Sequence, residues 1–288
     1  MFSGRDEYHL INAGLAELSK DLPESDLGEV MAYVLSSPGK RVRPLILIVS
    51  CQALGGRAGQ ALNAALAIEL VHAASLVHDD ILDCGTERRG TPSAVERFGL
   101  EAALLAGDYL ISRSIELISH YSQPVVSAFA RSCMNMSDGE MLDLSSNCSP
   151  EEYYRCISKK TASLFAASAK MGSLIAGAAE EDVSRLESYG MHLGLGYQVL
   201  DDLEEFLGID QGKSSQKKSV TLPRIYSRLY PDAARQMCIK VIDDHSLQAK
   251  SALVMSSGGA ESTAFLESIV DEMTKRGLER CRSLKSPC

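Results

Sequence analysis

Two acidic clusters, Asp79-Asp80-Ile81-Leu82-Asp83 and Asp201-Asp202-Leu203-Glu204-Glu205, interrupt stretches that are otherwise apolar. On a helix, Asp79 and Asp83 stand one above the other with Asp80 beside them, and Asp201, Asp202 and Glu205 repeat the triangle. Carboxylates about 5 Å apart repel by roughly 3 kcal/mol per pair at an effective dielectric near 20, so a fold that keeps such arrays needs cations. Oxygen-only donors suit a hard ion, Mg²⁺ ahead of Ca²⁺, and Mg²⁺ completes its octahedron with water and phosphate oxygens. The expected partner is therefore a phosphate compound. Solvated helix faces are the alternative. Against them, the first cluster closes the segment from Leu62 to Leu82, where Ala, Leu, Ile and Val dominate, and the second follows the equally apolar Met191 to Leu200. Acidic groups at the ends of buried helices mark the wall of a cleft.

Cations for a bound diphosphate come in discrete groups. Gly39-Lys40-Arg41-Val42-Arg43-Pro44 opens a helix, whose free N–H groups already favour anions. Lys40 and Arg43 are three apart and share a face. Arg88 and Arg89 follow the first acidic cluster closely enough to clamp what it holds. His72 lies two turns before Asp79 on the same face, Gln198 one turn before Asp201 and Asp202, and Lys160-Thr161 adds another pair. The polar stretch from Asp210 to Val220 reads as a mobile lid that brings Lys213 to the phosphates. Each group alone is an ordinary surface cation or helix polar residue; together they describe a site.

In this order, GKRVRP, the histidine of LVHAASLVHDDILD, RRGTPS, LAGDYL, KKTASLF, GYQVLDD, then GK and TLP, the chain from Gly39 to Pro223 resembles the trans-prenyltransferases of the polyprenyl diphosphate synthase family. The resemblance implies an all-α bundle around a deep central cavity, a single domain over 1–288, as a homodimer. It implies Mg²⁺, three ions with bound diphosphate, on Asp79 and Asp83 on one side and Asp201 on the other, with Asp80, Asp202 and Glu205 in support. Lys40, Arg43, His72 and Arg89 would hold isopentenyl diphosphate. Arg88, Lys160, Thr161, Gln198 and Lys213 would hold an allylic diphosphate. The allylic carbon–oxygen bond breaks, the double bond of isopentenyl diphosphate attacks the carbocation, and a proton is lost, lengthening the chain by five carbons. Asp79, Asp83, Asp201, Lys160 and Lys213 are the catalytic candidates. Two departures stand out. Glu205 occupies a position where the family has Asp, and the lid is short, with either Lys217 or Lys218 reaching the phosphates.

Product length depends on what blocks the cavity below the metals. Ala74 and Ser75 lie roughly 6 to 7.5 Å deeper than Asp79 at 1.5 Å per residue, where short-chain members carry an aromatic. Two small side chains and a moderate Val71 leave the tunnel open, so the expected product is longer than geranylgeranyl diphosphate. The alternative is a geranylgeranyl or farnesyl diphosphate synthase whose floor comes from Met134, Met136, Met141 or Phe165. Among other functions, a terpene cyclase needs no second diphosphate site. A non-catalytic subunit of a heteromeric synthase would be expected to lose acidic ligands.

The whole chain fits this reading. Its 288 residues are 45% hydrophobic and 23% charged, aromatics are 6% and Trp is absent, which with the abundance of helix formers reads as all-α. A net charge of −9 argues against nucleic acid or an anionic membrane as partner. Eight cysteines without a CxxC pair, and no basic-then-apolar leader, suggest the cytoplasm. No uninterrupted apolar run of membrane length is expected, because Glu69, His72 and the aspartates break the best candidate. Turn chemistry places helices near 5–20, 26–36, 42–54, 58–83, 93–97, 100–121, 123–144, 150–157, 161–177, 181–206, 222–228, 231–245 and 261–283.

Overall fold

A computed structural model describes residues 2–144, 149–209, 220–254 and 259–283. The described chain is helical: α1 (Asp6–Lys20), α2 (Asp26–Ser36), α3 (Val42–Ala53), α4 (Ala58–Leu82), α5 (Ala94–Phe98), α6 (Leu100–Ile118), α7 (Gln123–Leu144), α8 (Pro150–Ile157), α9 (Ser163–Ile175), α10 (Glu180–Phe206), α11 (Leu222–Leu229), α12 (Ala234–Ser251) and α13 (Ala260–Ser283). A small antiparallel hairpin, β1 (Glu87–Arg88) and β2 (Thr91–Pro92), joins α4 to α5. The starts are chemically marked. Ser25 and Ser93 accept backbone N–H groups at the heads of α2 and α5, and Ser149 and Glu152 form a reciprocal capping box ahead of α8.

Almost all of α3 is buried, and it packs against α4, α9 and α13, while α10 packs against α9 and α12. The largest apolar cluster joins these central helices. A second gathers around the carboxyl-terminal part of α10 with α8, α11 and α12, and a third lies between α2, α4, α5 and α6. Each large aliphatic side chain so buried contributes about 1.5–3 kcal/mol. By length and composition α4 would suffice to cross a membrane, which the expectation of broken apolar runs did not foresee; with 61% of its apolar window buried inside the protein, it is a core helix.

The helices expected near 150–157 and 161–177 form one continuous rod, α8 to α9, with a π-helical turn over Ser158–Ala162. Glycines on both sides let it seat deeply. A Cβ on Gly139 of α7 would fall 2.2 Å from the Lys160 nitrogen, and one on Gly190 or Gly194 of α10 would meet backbone atoms of Phe165 or Ala162 at 2.4 and 2.6 Å. The rod is thus wedged between α7 and α10. The hairpin was not anticipated, and α12 starts later and runs further than the expected 231–245.

Candidate active site

The basic half assembles where α3, α4 and the hairpin meet. Arg43, in the first turn of α3, donates through Nη1 to His72 Nε2 at 3.1 Å, and its guanidinium lies 4.3 Å from the centre of the Phe165 ring. Because arginine only donates, His72 Nε2 accepts and the ring proton sits on Nδ1. Burial, then the charges of Arg43, Arg89, Arg88 and Arg41, hold the His72 pKa well below its ordinary value. Burial likewise lowers Arg43 and Arg89. Arg88 and Arg89 are presented by the hairpin, whose turn uses left-handed Arg89 and Gly90. Arg88 grips Asp80 with two bonds of 2.7 Å, while Arg89 reaches the Pro38 carbonyl. Glu69 and Arg41, missed as functional residues in the sequence, brace this half: Arg41 Nη1 meets Glu69 Oε1 at 2.6 Å, and Nη2 donates to the Ser37 carbonyl at 3.1 Å. Lys40 is exposed beside them.

The acidic half converges on the π-turn. A π-turn inserts an extra residue into the helical ladder and is frequent at functional sites. Here Lys160 Nζ lies 2.5 Å from Glu140 and 2.8 Å from Asp143, both on α7. Burial opposes its charge, but the attraction of Asp79, Asp143 and Glu140 prevails and raises its pKa. Asp79 is pushed up to about 7, first by burial, against the pull of Lys160 and Arg88, with Glu140 adding repulsion and a hydrogen bond. Sequence reading missed Glu140 and Asp143; their one signal was an acidic pair at i and i+3 on an apolar helix.

From the same turn, Thr161 Oγ1 donates to Gln198 Oε1 at 2.8 Å, and Gln198 Nε2 donates to Asp202 Oδ1 at 3.0 Å. Tyr153 OH completes the carboxylate at Oδ2, 2.6 Å away. The π-turn therefore ties Asp79 on α4 to Asp202 on α10, so both acidic clusters address one region. Asp83 caps α4 and Asp201 is half-buried one turn beyond Gln198. Glu205, more exposed, lies 3.2 Å from Arg224. Lys213, Lys217 and Lys218, and all but Val220 of the expected lid, lie outside the described residues.

Below Asp79, Val71 and Ala74 are buried, and Ser75 turns its hydroxyl back to the His72 carbonyl at 2.8 Å. Of the alternative floor residues, Met134 and Met141 on α7 are 61% and 67% exposed, whereas Met136 packs against the main core and Phe165 is buried under Arg43.

The donor set suits Mg²⁺. Asp79 and Glu140 are brought within hydrogen-bonding distance, all donors are hard oxygens, and lysine and arginine stand ready to share the charge. Among the described residues no group of three His, Cys, Asp or Glu side chains is arranged to hold a metal ion by itself.

This architecture is that of the isoprenoid synthases, all-α enzymes of prenyl diphosphate chemistry. The family model for Polyprenyl synthetase matches residues 24–253. A geranylfarnesyl diphosphate synthase of Methanosarcina mazei is 42% identical over 252 residues, covering 86% of this chain and 85% of that protein. A geranylgeranyl diphosphate synthase of Sulfolobus acidocaldarius is 32% identical, covering 93% and 82%. The crystal structure of a geranyltranstransferase from Methanosarcina mazei superposes with a TM-score of 0.85 at 39% identity, covering 96% of this chain and 100% of that one. A polyprenyl synthase of Caulobacter crescentus, solved with calcium and isoprenyl diphosphate, also reaches 0.85, at 26% identity over 92% and 94%. The chain belongs to the polyprenyl synthetase family and is a prenyl-transferring enzyme.

Proposed function

We propose that this enzyme, a single domain over 1–288, extends an allylic diphosphate with isopentenyl diphosphate to a product longer than geranylgeranyl diphosphate, with geranylfarnesyl diphosphate the first candidate. The observation that carries the two-substrate reading is that cations occur in two settings: Arg43 and Arg89 beside His72, bonded respectively to its ring and to the Pro38 carbonyl, and Arg88 and Lys160 held by Asp80, Glu140 and Asp143. Lys40, Arg43, His72 and Arg89 take isopentenyl diphosphate. Arg88, Lys160, Thr161, Gln198 and Lys213 border the allylic diphosphate. Asp79, Asp83 and Asp201 are the metal ligands, with Asp80, Asp202 and Glu205 behind them, for three Mg²⁺ ions. Bound Mg²⁺ supplies charge neutralisation for the departing diphosphate.

The protein's own part is orientation and exclusion of water. Arg88, anchored by Asp80, and Lys160, anchored by Glu140 and Asp143, lower the energy of the negative charge that builds as the allylic carbon–oxygen bond breaks. The opposite cluster sets the double bond of isopentenyl diphosphate against the resulting cation. Carbon–carbon bond formation is followed by proton loss to the released pyrophosphate, and a lid over 210–220 keeps water away.

The longer product is supported by the small Ala74 and Ser75 and by the name of the 42% identical relative. A homodimer is supported by exposed Leu104, Leu105 and Ile115 on α6 and Met134 and Met141 on α7. Six free cysteines among the described residues support the cytoplasm. The test is incubation with isopentenyl diphosphate, each allylic primer and Mg²⁺, then sizing of the dephosphorylated products. Chains of 25 carbons or more are expected. Products of 20 carbons or fewer would overturn the length, and no condensation would overturn the function.

A further inference from the structure

We infer that Tyr153 is a positioning residue for the allylic half of this site, acting through Asp202 and Gln198, and that the Thr161 hydroxyl is spent inside this chain rather than on phosphate. The inference rests on the proposed prenyl-transfer site. Tyr153 lies two helical turns before Lys160 on the same rod, is 2% exposed, and reaches across to α10 to donate to Asp202 Oδ2 at 2.6 Å. Gln198 donates to the other oxygen at 3.0 Å. Two donors meeting on an acceptor-only carboxylate fix the direction of everything upstream. The Gln198 amide must turn its nitrogen toward Asp202, so its oxygen faces the π-turn, where Thr161 Oγ1 donates at 2.8 Å.

A threonine hydroxyl has one proton to give. Given to Gln198, it is lost to a phosphate oxygen, which only accepts. Lys160 supplies the donors to the ligand, and Thr161 holds the π-turn that carries Lys160 in register with α10. The same logic separates the paired aspartates of the second cluster. Asp202, 8% exposed and bonded by Tyr153 and Gln198, is the anchor of the pair.

The experiment compares wild type, Tyr153→Phe, Thr161→Val and the double variant. Each is assayed for KM toward both diphosphates and titrated calorimetrically with inorganic pyrophosphate in Mg²⁺. Loss of the Tyr153 bond to charged Asp202 should raise the allylic KM and weaken pyrophosphate binding by on the order of tenfold, and loss of the Thr161 bond to the neutral Gln198 amide by roughly several-fold, with the isopentenyl KM unchanged. The double variant should be little worse than the poorer single one, because both act on one chain. Unchanged allylic KM, equal rises in both KM values, or additive losses would overturn the inference. If Tyr153→Phe does not fold, Thr161→Val is paired with Gln198→Leu instead: non-additive losses in allylic KM and pyrophosphate affinity are expected, and additive losses, the mark of a hydroxyl bound to phosphate on its own account, overturn the inference. A wild type that never condenses the substrates defeats the functional reading instead, while the pyrophosphate titration still reports on the positioning chain.

Discussion

Arg41 enters α3 with φ +52°, a left-handed conformation that costs a residue with a side chain about 1–3 kcal/mol. Its side chain supplies the compensation by meeting Glu69 at 2.6 Å, with only 12% and 8% of the two side chains exposed. Lys40 and Arg43 flank it, so the ion pair fixes the entry of α3 and with it two proposed phosphate ligands. Glu69→Ala should cost about 3–5 kcal/mol, since it strands a buried guanidinium; urea unfolding would measure this as a lower midpoint at unchanged slope. Replacing Arg41 and Glu69 together by Met should cost less than Glu69→Ala alone. None of this was legible in the sequence. Arg41 was one of three cations in GKRVRP, and Glu69 was an interruption in an apolar run, because the bond between them depends on how α3 and α4 pack. Aspartates 79, 80 and 83 were readable for the opposite reason: their spacing lies within one helix. Glu140 and Asp143 had the same local spacing, but acquire meaning only from Lys160, which arrives from another element.

The π-turn shows how elements carry the site. Its close seat depends on Gly139, where an added Cβ would meet the backbone of Lys160, not a side chain able to swing away. Gly139→Ala should destabilise the protein by about 1–3 kcal/mol as an overpacked contact and raise the allylic KM more than the isopentenyl KM, read from thermal melting and steady-state kinetics. Farther along, α10 and α12 are clasped by His192 and His245, whose Nδ1 atoms lie 3.0 Å apart. Burial lowers both, and His245, with His192 beside it, falls to about 4. These two histidines thus bind fewer protons in the folded protein than in the unfolded chain below about pH 6.5, whereas Asp79, raised to about 7, binds more over the same range. The histidines' contribution to stability is therefore lost as pH drops from about 6.5 toward 4, and the His245→Gln variant should lose less stability than wild type over that interval of the melting-temperature profile. Helix periodicity and turn residues made the long elements legible. The hairpin escaped because two-residue strands have no period, and the π-turn because its extra residue looked like a break between helices.

At the scale of the molecule, α6 has two contrasting faces. Ala103, Ala106 and Gly107 are buried on the inner side, where α6 packs along α4, the helix of the first acidic cluster, with His78 filling the space at Gly107. Leu104, Leu105 and Ile115 are 45%, 56% and 55% exposed on the outer side, with Met134 and Met141 exposed on α7. The proposed dimer would cover these rows. Two chains of net charge −9 repel, so pairing must draw on apolar burial, and a stable interface needs roughly 1,600 Å² in total. That balance predicts the salt dependence: screening weakens the repulsion and leaves apolar burial intact, so sedimentation equilibrium should show dimers tightening as salt rises. Leu105→Glu combined with Ile115→Glu should give a folded monomer near 31.1 kDa, with helical circular dichroism retained. Because α6 lies between that face and α4, the monomer should also lose activity several-fold through a less firmly held Asp79. A wild type that is monomeric at every salt concentration would remove the interface, and a fully active monomer would separate it from the chemistry.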